Sequence, residues 1–262
     1  MFQSSYFTFD NIKSSDMGVV LITLDDSNLI QHGLSFSEEP LFDFAINSKE
    51  AYYYGSKISE PEAIELHISL VDEVDNPMKW TIKDRIRVFD WLVKEDFCPF
   101  TTEDEPDIVY YLKCVGIKKE FSPNLEGVIT LTMQPSSQYA YTPILKQSHC
   151  NYDGEPYVME VSNISNVSSS YYPQFTITNL EEGQEIAIKN KKTNKEFIVK
   201  NLPVNEAITV DMETRQLLTS LNTPFDLSNT NKEWLYLVKG TNDIEIKGKC
   251  DLTIKCQFPL IV

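Results

Sequence analysis

Apolar and polar residues alternate with period two along most of the chain. In residues 127–133, GVITLTM, the side chains of Ile129, Leu131 and Met133 fall on one face and Thr130 and Thr132 on the other, as in a strand buried on one side. The same alternation recurs at 64–70, 175–178, 186–189, 208–210, 244–246 and 252–256. Short strands punctuated by turns predict a mainly β chain built as a sandwich or barrel. One segment breaks the rhythm. Ile82, Ile86, Phe89 and Val93 recur at helical spacing, with Lys83, Asp84, Arg87, Asp90 and Lys94 opposite them. Thr81, three residues before Asp84, supplies an N-cap, and Pro99 follows the end. The spacing predicts one amphipathic helix of about three to four turns, its apolar stripe packed on a sheet.

Two stretches fall outside both periods. Residues 35–61 hold two prolines and the aromatic cluster Phe42, Phe44, Tyr52, Tyr53 and Tyr54. They suit a long hairpin or arm that either lies on its own sheet or meets another subunit. Between about 134 and 156 the sequence QPSSQYAYTPILKQSHCNYDGEP has no clear period and reads as a connection. At 262 residues the chain exceeds the usual size of one domain, so the expected division is 1–140 and 141–262.

Charge is unevenly spread. Of the net −16, residues 1–140 carry 11 Lys and Arg against 24 Asp and Glu, net −13, and residues 141–262 carry the remaining −3. Such a field disfavours any role that depends on neutralising nucleic-acid phosphates. No run of eighteen apolar residues exists, and the first fifteen residues lack a basic start and an apolar core, so the expectation is a soluble chain made in the cytoplasm, with no membrane partner. Five cysteines without a CxxC pair, Cys98, Cys114, Cys150, Cys250 and Cys256, read as reduced core residues.

Catalytic patterns are missing from the sequence. His32, His67 and His149 are far apart and form neither HExxH nor a Cys/His zinc pattern, and no GxSxG, GxxxxGK[ST] or GxGxxG occurs. No cofactor, metal site or catalytic residue is expected. The acidic runs Glu60, Glu62, Glu65 and Glu103, Asp104, Glu105, Asp107 resemble solvated loops beside Pro61 and Pro106 rather than a desolvated glycosidase pair. Trp91 and Trp234 sit in apolar surroundings that predict burial.

The opening, Tyr6-Phe-Thr-Phe-Asp-Asn-Ile-Lys-Ser-Ser-Asp-Met-Gly18-Val-Val, reads as an aromatic strand, a short turn and S.D.G(I/V). The close, Trp234-Leu-Tyr-Leu-Val-Lys-Gly-Thr-Asn-Asp243-Ile-Glu-Ile with a final strand 252–256, reads as an apolar strand, a Gly-Thr-Asn-Asp turn and a second strand forming a hairpin. Both stretches resemble the distal tail (Dit) proteins of long-tailed phages that infect Gram-positive bacteria.

The resemblance implies an N-terminal β domain with one α-helix and a protruding hairpin, then a C-terminal galectin-like β-sandwich. It implies a homohexameric ring built from residues 1–140, a baseplate hub at the tail tip of the virion, assembled in the host cytoplasm. Its partners would be the tail tube protein, a tail-associated lysin or fibre protein and, in many members, receptor-binding proteins. The arm Phe42, Phe44, Tyr52, Tyr53 and Tyr54 would contact the neighbouring subunit. Acids at Glu60, Glu62, Glu65, Asp72, Glu73, Asp75, Glu103, Asp104, Glu105 and Asp107 would line a channel through which DNA passes without specific binding, or else keep an outer rim soluble. The alternative, a lectin-like module acting directly in host recognition, needs a His/Asn/Arg cluster with a stacking Trp; the C-terminal half offers Arg215, His149 and Trp234, widely separated in sequence.

Overall fold

A computed structural model describes residues 5–22, 36–43, 52–124, 126–167, 170–219 and 227–262, with Asp43 and Tyr52 described by their backbone alone. The chain divides into two compact units, Met1–Tyr141 with Ile261–Val262, and Thr142–Leu260.

In the first unit, strands β1 (Phe7–Phe9), β2 (Ile12–Lys13), β3 (Val19–Leu21), β6 (Ile64–Leu70), β7 (Cys98–Thr102), β8 (Tyr110–Phe121) and β9 (Gly127–Pro135) form one sheet in the order β2-β1-β7-β8-β9-β6-β3. The remaining pair, β4 (Glu38–Asp43) and β5 (Tyr52–Ile58), stands apart as a two-stranded hairpin. Alternation fixes which side is core: Leu66, Ile68, Leu70, Ile129, Leu131, Met133, Leu112 and Phe100 are all buried. The sheet curls until its ends meet, because Leu21 N–H donates to Ser5 O and Val19 N–H to Ser14 O.

The opening motif makes that join. Asp10 and Asn11, at φ 51° and 62°, turn β1 into β2. Ser14 is fully buried, its Oγ accepting from Phe7 N–H at 3.0 Å while its own N–H donates to Phe7 O. Gly18 has φ 61°, and a Cβ there would lie 3.2 Å from Val71 O, so the motif's glycine answers both a left-handed backbone and a close approach.

The helix α1 (Ile82–Leu92) forms where predicted, with Thr81 Oγ1 accepting from Asp84 N–H. Its orientation differs from the expectation. Val88, Trp91 and Leu92 face the core, while Ile82, Ile86 and Val93 are 69%, 57% and 46% exposed. The helix carries two apolar stripes, roughly a third of a turn apart at 100° per residue. Trp91 decides between them: it stacks on Phe7 at 5.5 Å and its Nε1 donates to Phe9 O at 2.8 Å. Spacing alone could not rank the two stripes.

The second unit is a sandwich. A five-stranded sheet, β11 (Leu145–Asn151), β19 (Cys250–Cys256), β13 (Gln174–Asn179), β16 (Ala207–Asp211) and β17 (Gln216–Thr219), faces a four-stranded one, β12 (Tyr157–Asn163), β18 (Gly240–Lys247), β14 (Glu185–Asn190) and β15 (Lys195–Lys200). The short β10 (Ala140–Tyr141) belongs to the first unit, where Tyr141 bridges Val109. Between the two sheets Phe175, Ile177, Ile188, Phe197, Ile208, Val210, Ile244, Ile246, Leu252 and Ile254 form one core. Strand β11 lies within the segment read as a connection. It is an edge strand with polar residues on both faces, so period two leaves no mark on it.

The closing motif also takes a different form. The segment WLYLV is no strand, and Gly240–Asp243 opens β18 instead of making a turn. Leu235 and Leu237 nevertheless reach the core with no ladder beside them except the bridge to Tyr171. Buried asparagines supply the missing hydrogen bonds. Asn190 Nδ2 donates to Tyr236 O at 2.8 Å, Asn163 Nδ2 to Leu237 O at 3.3 Å, and Asn242 bonds both Val238 N–H and Val238 O. Asn163 and Asn190 end their strands, as do the buried Asn151 and Asn179.

Candidate assembly surfaces

The arm expected from 35–61 is the β4–β5 hairpin. Its root is rigid: Ser37 N–H donates to Gln138 Oε1 at 2.9 Å, Gln138 Nε2 donates to Ser59 O, and Ser59 N–H closes the two legs onto Ser37 O. Gln138 is 4% exposed, so one buried amide clamps both strands. Phe36 packs on Tyr139 at 5.7 Å just below. Above the root, a bulge between Leu41 and Phe42 shifts the register, so that Leu41 faces Gly55 and Phe42 faces Tyr53. Phe42 and Tyr53 touch at 5.7 Å, yet Phe42, Tyr53 and Tyr54 are 56%, 61% and 69% exposed. A two-stranded hairpin is marginal by itself. Phe44 lies outside the described residues, and nothing is said of the Tyr52 side chain beyond its place in β5.

The predicted acids are at the surface but do not form one set. Glu60, Glu62, Glu65, Asp72, Glu73, Asp75, Glu103, Asp104 and Asp107 are exposed and Glu105 is half-buried. The Asn76 side-chain amide, together with the N–H groups of Asn76 and Val74, donates to the Asp72 carboxylate and holds its carboxyl below the usual range; it organises a turn. Asp75 accepts the Tyr6 hydroxyl at 2.5 Å, and that bond, with burial and Glu103 nearby, pushes the phenol up. Glu103 and Asp75 are therefore brought to one place around Tyr6. Glu65 sits elsewhere, on the outer face of the sheet with His67, Lys118, Glu120 and Thr130, around a cavity of about 300 Å³. Lys118 pairs with Glu120 at 2.6 Å there, and His67 Nδ1 meets Thr130 Oγ1 at 2.9 Å, so charges of both signs alternate.

A sugar cluster is not assembled. His149 on β11 stacks on Tyr157, and Arg215 lies in the turn before β17, at the opposite edge of the same sheet. Trp234 is half-buried against Phe197 at 6.0 Å. Among the described residues no three His, Cys, Asp or Glu side chains gather as metal ligands. All five cysteines are free and four are buried; burial pushes the Cys250 and Cys256 thiols up to about 12. No described helix is long and apolar enough to cross a membrane.

Comparison with known proteins adds identity to this geometry. A family described as "Phage tail protein N-terminal domain" matches residues 2–137, and one described as "Phage tail C-terminal domain" matches residues 139–256. The chain is 24% identical over 260 residues to the SPbeta prophage-derived uncharacterized protein YomH of Bacillus subtilis (strain 168), covering 98% of both. Its fold is similar to that of phage SPP1 Dit (gp 19.1), with TM-score 0.61 and 13% identity over 97% of this chain and 98% of that one. That protein is described as a paradigm of the hub adsorption apparatus in phages infecting Gram-positive bacteria. A chain of the phage P2 baseplate in its activated, calcium-bound conformation is also similar, with TM-score 0.52 and 11% identity over 95% and 97%. The mainly β class expected from alternation is borne out.

Proposed function

Since the chain belongs to the phage tail protein family matched by both its halves and shares the fold of a distal tail protein, we propose that it is a structural hub of the tail tip. In this reading about six copies form a ring through residues 1–140, joining the tail tube protein to a tail-associated lysin or fibre protein and offering a mount for receptor-binding proteins. The role involves no reaction. The observation that carries it is the clamped hairpin whose aromatics Phe42, Tyr53 and Tyr54 are left in solvent by their own chain. Interfaces are enriched in such residues, and a contact between two different surfaces of identical copies closes into a ring when its rotation permits. Negative-stain microscopy and light scattering across concentrations test it. Rings with a mass about six times the 30.1 kDa of one chain are expected; a strict monomer in both measurements overturns it.

The acids complete the proposal. A ring of units each carrying net −13 concentrates on the order of eighty negative charges. Carboxylates on its inner wall would let DNA pass without adhering, since phosphate and carboxylate repel by about 1 kcal/mol at several ångströms in water before screening. The candidates are Glu60, Glu62, Glu65, Asp72, Glu73, Asp75, Glu103, Asp104, Glu105 and Asp107, of which Glu65 has Lys118 beside it and Asp72 is engaged in its turn. A ring reconstruction with a neutral or basic lumen would remove this part of the proposal and leave the ring itself standing.

A further inference from the structure

The four-stranded sheet of the sandwich ends differently at its two sides. On the β15 side the chain covers its own edge: Asn231 N–H donates to Ile198 O, Ile198 N–H donates to Asn231 Oδ1 at 3.1 Å, and Asn231 Nδ2 donates to Glu196 O at 2.7 Å. On the other side β12 pairs with β18, and no described strand pairs with its outer edge. An uncovered edge is a template for a further strand. Beneath it the sandwich gapes, because β11 and β12 are the facing edge strands of the two sheets. Next to the loop that joins them His149 plugs the gap, stacked on Tyr157 with ring centroids 3.5 Å apart. Further along nothing plays that part: a cavity of about 420 Å³ opens between Leu145 of β11 and Val161 of β12, floored by the core residues Ile254, Cys256 and Phe258. At its mouth Leu145 and Ile164 are 43% and 57% exposed.

The two lips of this slot carry opposite charge. On β12 the exposed Glu160 stands directly opposite the exposed Asp243 of β18, and the cations nearest in the sheet, Lys191 and Lys247, are both engaged with Glu245. On β11 Lys146 stands opposite Lys255. Like charges directly opposite one another weaken a ladder. A basic side chain laid beside Glu160 relieves the first pair, whereas on β11 it would meet Lys146 and Lys255. Strand β11 also offers little to pack on, with Gln147 facing inward and Ser148 outward, bonded to Thr253. We propose that β12 takes up an extended segment of another protein, in which a Lys or Arg is flanked on each side by an apolar residue. Alternate side chains of the added strand point to opposite faces, so the two apolar ones, about 7 Å apart, enter the slot while the base between them lies beside Glu160. The net charge of −16 favours such a basic segment at long range. A second copy of this chain is the wrong shape and charge: β12 on β12 in full overlap sets Glu160 against Glu160, and it brings another open slot instead of a side chain to fill one. The surface lies wholly within Thr142–Leu260 and does not depend on ring formation.

A fluorescein-labelled peptide with leucine, lysine and phenylalanine in succession at its centre and threonines on either side is the probe, titrated into the full chain and followed by anisotropy. Saturable binding is expected, with amide exchange slowed across 157–163. The same peptide with glutamate in place of the lysine is expected to bind about threefold to tenfold more weakly, and Glu160→Lys, at an exposed position, to reverse that preference. Of two peptides N-methylated at alternate residues in opposite phase, one is expected to lose binding, since only alternate N–H groups face β12. No saturable binding, binding that survives both methylation patterns, slowed exchange at 145–151 instead of 157–163, or a preference of the unmodified chain for the glutamate peptide each overturns the proposal. Slowed exchange at 157–163 that rises with protein concentration in the absence of peptide makes a second copy the occupant and overturns it as well.

Discussion

The two units bury apolar side chains by different rules. The sandwich of Thr142–Leu260 completes itself: where its chain leaves the ladders between Trp234 and Val238, asparagine side chains take the place of a neighbouring strand, and Leu235 and Leu237 stay in the core. The first unit does the reverse. Its sheet closes on Ser5 and Ser14, yet it holds an aromatic hairpin and a helix stripe away from its own core. A self-satisfied domain and one with apolar surfaces left over suit different tasks.

The comparison can be broken most sharply at Trp91, the side chain that fixes which face of α1 is inward. Trp91→Ala is expected to destabilise the first unit by about 3–5 kcal/mol, seen as lost hydrogen-exchange protection in β1, β7 and α1 with the sandwich unchanged. Trp91→Phe keeps the stacking on Phe7 but removes the indole bond to Phe9 O, at a cost of about 0.5–1.5 kcal/mol. If both variants melt like the parent, the inward face has been misassigned.

Asn242→Ala is the matching experiment in the sandwich. It removes the acceptor of Val238 N–H and the donor to Val238 O and Gly240 O, all in a side chain with no exposure. A loss of about 2–3 kcal/mol in urea is expected, with exchange rising at 157–163 and 234–247 and not in the first unit. Wild-type stability here would show that packing, rather than asparagine bonding, holds WLYLV in place.

Smaller effects sharpen the contrast. Glu245 bridges Lys191 at 2.9 Å and Lys247 at 3.1 Å, and those bonds hold its carboxyl below the ordinary 4.5. Because the folded value is depressed, its contribution is present above about pH 4.5 and is lost as pH falls through the lower folded value. Glu245→Gln is expected to cost about 0.5–1 kcal/mol at pH 7 and to flatten the acid limb of the sandwich's stability profile; an unchanged limb refutes the assignment. Last, Ile86→Ser is expected to change monomer stability by no more than about 0.5 kcal/mol, since the side chain is already 57% exposed. A loss of several times that amount would mean the stripe is core after all.

Sequence by itself determined the strands whose two faces differ. Residues 64–70, 127–133, 175–178 and 252–256 alternate because one side meets a core and the other water, and burial follows residue by residue. It also determined the helix, its Thr81 cap, the hairpin between 38 and 58, and the acidity of the first half, all of which are local or additive properties. Tertiary structure decided the rest. Strand β11 is legible only beside β19, because an edge with polar residues on both faces carries no period. Which stripe of α1 turns inward depended on Phe7 and Phe9, some eighty residues away. That WLYLV is held by asparagines and not by a paired strand depended on three side chains between 163 and 242 converging on one segment. Each of these outcomes is a choice between locally equivalent options, and only contacts distant in sequence carry the energy that separates them.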